Sequence, residues 1–152
     1  MISNNLNDNV YTIIGACMEV HKSLGPGYPT EYYKRALEVE FDSRKLTYEN
    51  KKKFQITYKD VLVGTLEVDF LIEDEVVIMV ICQDQFLDTE IQQVLRCLQL
   101  TEKPMGLLVN FGGTKIQYKR IMPSHRNVTN KTIKRYPLEQ GRGKTRENNP
   151  IV

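Results

Sequence analysis

The chain has only three cysteines and two histidines among its 152 residues. Cys17, Cys82 and Cys97 are far apart, and none belongs to a CxxC pair. This argues against a disulfide framework and against a zinc site, and leaves free thiols in a reducing compartment as the expectation. The histidines are His21 and His125, and the second falls in a polar C-terminal stretch. A Ser-His-Asp or Cys-His nucleophilic centre therefore has little to be built from. No apolar run approaches the roughly 18–20 residues that span a bilayer, so no membrane partner is expected. Residues Met1 to Val10 are polar and lack a basic start followed by an apolar stretch. No secretory signal is expected, and the protein reads as cytoplasmic. Neither a GxxxxGK(S/T) phosphate loop nor a dinucleotide fingerprint occurs.

What remains is the composition of an ordinary globular domain, 41% hydrophobic and 26% charged. The length suits one domain with its own core. The net charge of +2 conceals a division. Up to Tyr118 there are 12 Lys and Arg against 17 Asp and Glu. From Lys119 onward there are 9 against 2, so an acidic body carries a basic C-terminal stretch.

The periodicity of the chain changes along its length. Val10, Ile13, Ile14, Cys17, His21 and Leu24 follow helical spacing, which predicts a helix over 8–24 with Asp8 as its cap and Gly25-Pro26 as its stop. A second helix follows, with Pro29 in its first turn and an apolar face of Tyr33, Ala36, Leu37 and Phe41. Phe54, Ile56 and Tyr58 then alternate with polar residues, as a strand does. Lys59-Asp60 predicts a turn into a strand over 62–72 that is broken near Gly64. Glu73, Asp74 and Glu75 predict a hairpin turn into a strand over 76–82, apolar almost throughout, as in a central strand buried on both faces. A helix over 86–100, a strand over 105–111, a Gly112-Gly113 turn and a last strand over 115–121 complete the order. The prediction is a mixed sheet with helices, of α/β or α+β class, over residues 1–122. Residues 123–152 are basic and poor in apolar side chains, and read as a flexible tail.

The chemistry-bearing stretch is "EVDFLIEDEVVIMVICQD", residues 67–84. Glu67 and Asp69 stand two apart on one predicted strand, so alternation sets them on one face. Such a pair is either part of a metal site or an exposed acidic face beside a turn. His21, alone on the apolar side of its helix, reads first as a hydrogen-bonded boundary residue. Gln93 either meets a substrate or packs on a neighbouring strand. Arg120, Arg126, Lys131, Lys134 and Arg135 form a basic set that would neutralise nucleic-acid phosphates or simply keep the tail solvated.

Four segments carry a resemblance: "IIGACMEVHKSLGPGYPTEYYKRALEVEF" (13–41), "VDFLIEDEVVIMVI" (68–81), "IQQVLRCLQLT" (91–101) and "GLLVNFGGTKIQYKRI" (106–121). Over residues 8–121 the chain resembles the bacterial GxxExxY proteins of the PD-(D/E)XK nuclease superfamily. The resemblance implies a mixed β-sheet flanked by helices. It also implies an Asp on one strand and a (D/E)-x-K on the next, holding Mg²⁺ or Mn²⁺ to polarise a phosphodiester and generate hydroxide. Asp69 matches the metal-binding Asp, and His21, Tyr33 and Gln93 match further residues of the pattern.

The departures are at charged positions. The signature Glu falls on Thr30, with Glu31 one step further round the helix. Gapless matching sets the strand Glu at Met79 and the Lys at Ile81, and a one-residue bulge would shift them to Ile81 and Gln83. Either register loses the acid, and methionine cannot replace a hard oxygen ligand. The sequence therefore predicts a nuclease-fold protein with a residual site at Asp69, Glu67, His21 and Gln93. It would carry no cofactor or a weakly bound Mg²⁺ or Mn²⁺, would have lost phosphodiesterase activity, and would bind DNA, RNA or a protein partner. The alternatives are an active nuclease rearranged around Asp69, Glu67, Glu31 and Gln83, and a homodimeric scaffold.

Overall fold

The computed structural model describes residues 4–123. Arg126, Lys131, Lys134 and Arg135 lie outside the described residues, as does the expected tail beyond Pro123. The described chain folds in the order α1 (Asn4–Leu24), α2 (Thr30–Ser43), β1 (Tyr48–Tyr58), β2 (Val61–Ile72), β3 (Val76–Ile81), α3 (Asp88–Thr101), β4 (Met105–Asn110) and β5 (Gln117–Ile121). The α-α-β-β-β-α-β-β order and the mixed α+β class are those the periodicity predicts.

The five strands form one sheet in the order β1-β2-β3-β4-β5. All neighbours are antiparallel except β3 and β4, which run parallel. A parallel pair needs a crossover, and α3 supplies it. The helices cover both faces. Leu6, Val10, Ile13, Cys17 and Val20 of α1 and Tyr33, Leu37 and Phe41 of α2 pack on Phe70, Ile78, Leu107 and Phe111. Val94, Cys97 and Leu98 of α3 pack on the opposite face, against Val68, Leu71, Val77 and Leu108. The strands β3 and β4 are thus buried on both sides, as their unbroken apolar runs require. Each such side chain contributes about 1.5–3 kcal/mol by leaving water.

Several boundaries differ from the sequence reading. Helix α1 begins at Asn4, so Asp8 does not cap it; the Asp8 carbonyl instead accepts a hydrogen bond from Thr12 Oγ1 within the helix. Pro29 occupies the N-cap of α2. Gly25 stops α1 with φ +74, and its N–H returns to the His21 carbonyl at 2.8 Å. The break near Gly64 is a bulge. Ile56 pairs with Gly64 but Thr57 pairs with Leu62, leaving Val63 as the extra residue. Lys59 and Asp60 both take positive φ, the two-residue turn that matches strand twist. Among the described residues no helix is long and apolar enough to cross a membrane.

Candidate functional site

Asp69 lies where the sheet comes apart. Strands β2 and β3 are paired at Phe70–Ile78, Leu71–Val77 and Ile72–Val76, and the ladder stops there. Val80 is past the last pair, and its N–H donates to Asp69 Oδ2 at 2.7 Å. The carboxylate thus bridges the two strands at the point of divergence. Its other oxygen, Oδ1, lies 2.8 Å from Lys34 Nζ on α2. The same ammonium lies 3.4 Å from Glu31 Oε2. The Asp69 side chain is 12% exposed and that of Lys34 20%, so water screens this pair only partly. Burial alone would pull the Lys34 pKa down, but the hydrogen bond and charge of Asp69, with Glu31 behind it, hold it above the ordinary lysine value.

Glu67 and Asp69 do not share one strand face, contrary to simple alternation. Val68 faces α3 while Phe70 faces α1 and α2, so the period of two fails between them. The cause is local: Lys51, across from Asp69 on β1, takes φ +51, and no ladder pair forms there. Glu67 is exposed and borders a cavity of about 320 Å³ together with Met79, Gln93 and Cys97. The fold brings Glu67 and Gln93 to this cavity, whereas Asp69 turns to Lys34. Met79 and Ile81 are half-buried against the α3 core. Strand β3 holds continuous register with β4 from Val76–Met105 to Ile81–Asn110, with no bulge to shift it.

His21 is buried beside Phe111, with ring centroids 6.0 Å apart. Its Nε2 meets the Gly113 carbonyl at 2.9 Å, so it fastens α1 to the β4–β5 connection. Tyr33 is fully buried, stacks on Phe111 at 4.8 Å, and donates its hydroxyl to the Gly25 carbonyl. The Tyr28 N–H donates back to that hydroxyl at 3.2 Å. The aromatic ring thereby fixes the Gly25-Pro26-Gly27 turn. The acidic turn is likewise engaged: Glu73 accepts from Thr47 N–H and Oγ1, Asp74 pairs with Lys103 at 2.9 Å, and Glu75 accepts from Asn9. Arg120 is exposed on β5, where its neighbour Lys119 lies over the Phe86 ring.

Two residues of this region escape a sequence reading. Lys34 is one of many surface-type lysines until α2 is laid against β2. Asn110 is fully buried at the end of β4. Its Oδ1 accepts from Gln83 N–H at 3.0 Å and from Gly112 N–H at 2.9 Å, and its Nδ2 donates to the Gln83 carbonyl at 2.9 Å. It holds the chain leaving β3 against the β4–β5 turn, and the Gln83 side chain bonds on to Glu90 of α3. An asparagine ending an apolar run, "GLLVN", was the only sequence signal.

A hard divalent cation asks for several oxygen ligands, at least some of them free carboxylates. Among the described residues no group of three or more His, Cys, Asp or Glu side chains is placed to hold a metal ion. Both oxygens of Asp69 already have partners, and the next strand offers thioether and alkyl groups. The residues present do not fit such an ion.

Comparison with known proteins agrees with the architecture. Residues 7–121 match the family model of the PD-(D/E)XK nuclease superfamily. The crystal structure of SSO0001 is similar, with a TM-score of 0.52 and 18% identity over 66% of this chain. That match spans 53% of the other chain, about half its length, and speaks to the fold alone. No curated protein matches.

Proposed function

This chain belongs to the PD-(D/E)XK nuclease superfamily, and we propose that it is a member whose metal-dependent phosphodiesterase chemistry is lost and whose fold serves as a nucleic-acid-binding module. Within the superfamily we infer the GxxExxY group, on the Gly27–Tyr33 spacing and the structural use of Tyr33.

One observation carries the reading. The Asp69 carboxylate is bound on one side by Val80 N–H and on the other by Lys34, while Met79 and Ile81 pack with α3. Hydrolysis by this superfamily's route needs a cation to polarise the phosphate and lower the pKa of water. A single carboxylate already neutralised by an ammonium supplies neither the charge nor the free lone pairs. The unbulged β3 supports Met79 and Ile81 as the matched positions. Binding is inferred from charge. The stretch from Lys119 onward carries 9 Lys and Arg against 2 Asp and Glu, beginning at exposed Lys119 and Arg120.

The test is incubation of labelled single- and double-stranded DNA and RNA with Mg²⁺ and with Mn²⁺, beside Asp69→Ala. The expected result is salt-sensitive binding without cleavage. Metal-dependent cutting that disappears in Asp69→Ala would overturn the loss of activity. Absence of binding at low salt, with concentration-dependent self-association, would transfer the role to protein partners or a homodimer.

A further inference from the structure

We propose that the groove between the end of α1 and the start of α2 is a stacking platform for an unpaired base of a single-stranded nucleic acid. The inference rests on the nucleic-acid-binding reading proposed above, and it names the form of nucleic acid and the residues that meet its bases.

Leu24 ends α1, Tyr28 lies in the connection, and Tyr32, Arg35 and Ala36 follow helical spacing along one side of α2. Together they line a groove of about 410 Å³. Leu24, Tyr28 and Tyr32 are 36%, 46% and 57% exposed, so the apolar surface is grouped rather than scattered. The two tyrosine rings are stacked, with centroids 5.8 Å apart and planes inclined by 28°. The surroundings fix this geometry. The Tyr28 N–H donates to the hydroxyl of buried Tyr33 at 3.2 Å, and the Tyr28 ring meets the Tyr33 ring edge-on at 6.3 Å. Gly27 takes φ +107 before Tyr28, and Pro29 after it restricts its backbone to extended conformations. An aromatic surface held in place in the free protein loses little freedom on binding. Among the described residues, Arg35 is the one charged side chain lining the groove, and it is exposed and without a carboxylate partner. The acids of the same helix turns are engaged elsewhere, Glu31 with Lys34 and Glu38 with Asn50. The complement of two ring faces and a guanidinium is a flat ring rich in acceptors. A nucleobase is such a ring: its face stacks on tyrosine, and its carbonyl and ring-nitrogen atoms accept from arginine. In a duplex that face is covered by neighbouring bases, so an unpaired base is the one that fits. The contact is with rings rather than phosphates, so it asks for no further positive charge on the acidic body.

The test compares the full chain with two double variants by fluorescence anisotropy at low salt. The probes are labelled oligothymidylate, labelled oligoadenylate and an abasic strand of the same length, which carries the phosphates without the bases. The wild-type protein should bind either base-bearing strand at least about fivefold more tightly than the abasic one. Tyr28→Phe with Tyr32→Phe keeps both ring faces and should keep that preference. Tyr28→Leu with Tyr32→Leu keeps apolar surface without a ring, and should bind all three strands alike, at the abasic level. Thermal melts check that the variants fold. If the leucine pair does not, Tyr32→Leu alone, at a side chain mostly in water, is measured and should lose most of the preference. A preference that survives the leucine substitutions, or a wild type that binds base-bearing and abasic strands equally, overturns this inference and leaves the functional reading standing. A wild type that binds neither these strands nor duplex strikes the functional reading, and this inference with it. Decaproline binding that is lost in the leucine variant, beside an unchanged preference for bases, assigns the groove to a proline-rich peptide instead.

Discussion

Asp69 joins an ion pair to a backbone hydrogen bond, and two substitutions separate those contributions. Asp69→Asn keeps an oxygen for Val80 N–H and loses the charge that Lys34 faces. Asp69→Ala removes both, leaving the Val80 N–H without its acceptor and Lys34 with Glu31 alone. Charge-assisted hydrogen bonds are worth about 1.5–3 kcal/mol, so Asp69→Ala should cost about 2–3 kcal/mol in urea unfolding and Asp69→Asn about half of that. Equal costs would mean that the ion pair contributes nothing. The pair also sets a pH dependence. Because the folded Lys34 pKa lies above its unfolded value, its contribution is fully present below the ordinary lysine pKa of 10.5. It is lost as pH rises through the folded value, so above neutral pH the Lys34 contribution should stay flat until strong alkali and fall there. The Lys34→Met protein should lack that alkaline loss. Asn110 is a second such point. Asn110→Ala strands the Gln83 N–H and carbonyl and the Gly112 N–H, and should cost about 3 kcal/mol, read as the shift in urea midpoint at unchanged slope. Lys34 and Asn110 were not legible beforehand, for a physical reason. Lys34 and Asp69 are 35 positions apart, and only the docking of α2 on the sheet makes them partners. Asp69 itself was legible as a candidate, but its separation from Glu67 was not, because local alternation fails opposite Lys51.

At the scale of elements, the seating of α3 on the sheet depends on one glycine. A Cβ placed on Gly106 of β4 would come within 2.5 Å of Val94 Cγ1, and valine has little rotamer freedom on a helix with which to yield. Gly106→Ala should therefore cost about 2 kcal/mol by overpacking, seen as a lowered melting temperature. Combining it with Val94→Ala should recover part of that loss, so the two costs should not add. Cys97 lies beside this contact, in the same core cluster as Val94 and Leu98. Burial pushes its thiol up to about 11, against a smaller opposing effect of the Thr101 hydrogen bond, and burial pushes Cys17 up to about 12. Both should resist an aromatic disulfide reagent in the native protein, and Gly106→Ala should speed the labelling of Cys97 but not that of Cys17. Elements were the most legible level of this chain. The apolar stripes of α1, α2 and α3 and the unbroken runs of β3 and β4 gave type and order, because burial on one face or two leaves a direct periodic mark. The bulge at Val63 showed only as a glycine, and the start of α1 at Asn4 was obscured because Leu6, which continues the stripe at i−4 from Val10, stands alone among polar residues.

On the scale of the whole molecule, charge is divided along the chain, and that division makes a quantitative demand on the binding reading. The residues up to Tyr118 are net acidic and would repel a polyanion, whereas those from Lys119 onward are strongly basic. If Arg120, Arg126, Lys131, Lys134 and Arg135 each neutralise one phosphate, counterion release fixes the salt dependence. The logarithm of affinity should fall against the logarithm of salt concentration with a slope of about −4.5 on duplex and about −3.5 on single strands. Fluorescence anisotropy with a labelled 20-mer, taken across about a fourfold range of salt, measures that slope. Reversing the five charges in the full chain should flatten it toward zero, and should do so equally on every sequence tried, because phosphate contacts position a protein without reading bases. Substituting Lys34 or Asp69 should leave the slope alone, since their charges are spent on each other. A slope that survives the five reversals would deny these five residues their role and leave binding to Lys119, Arg142, Lys144 and Arg146 or to the acidic body. A slope near zero in the unaltered protein would remove nucleic acid as the partner, and the fold would then act on proteins or on a second copy of itself.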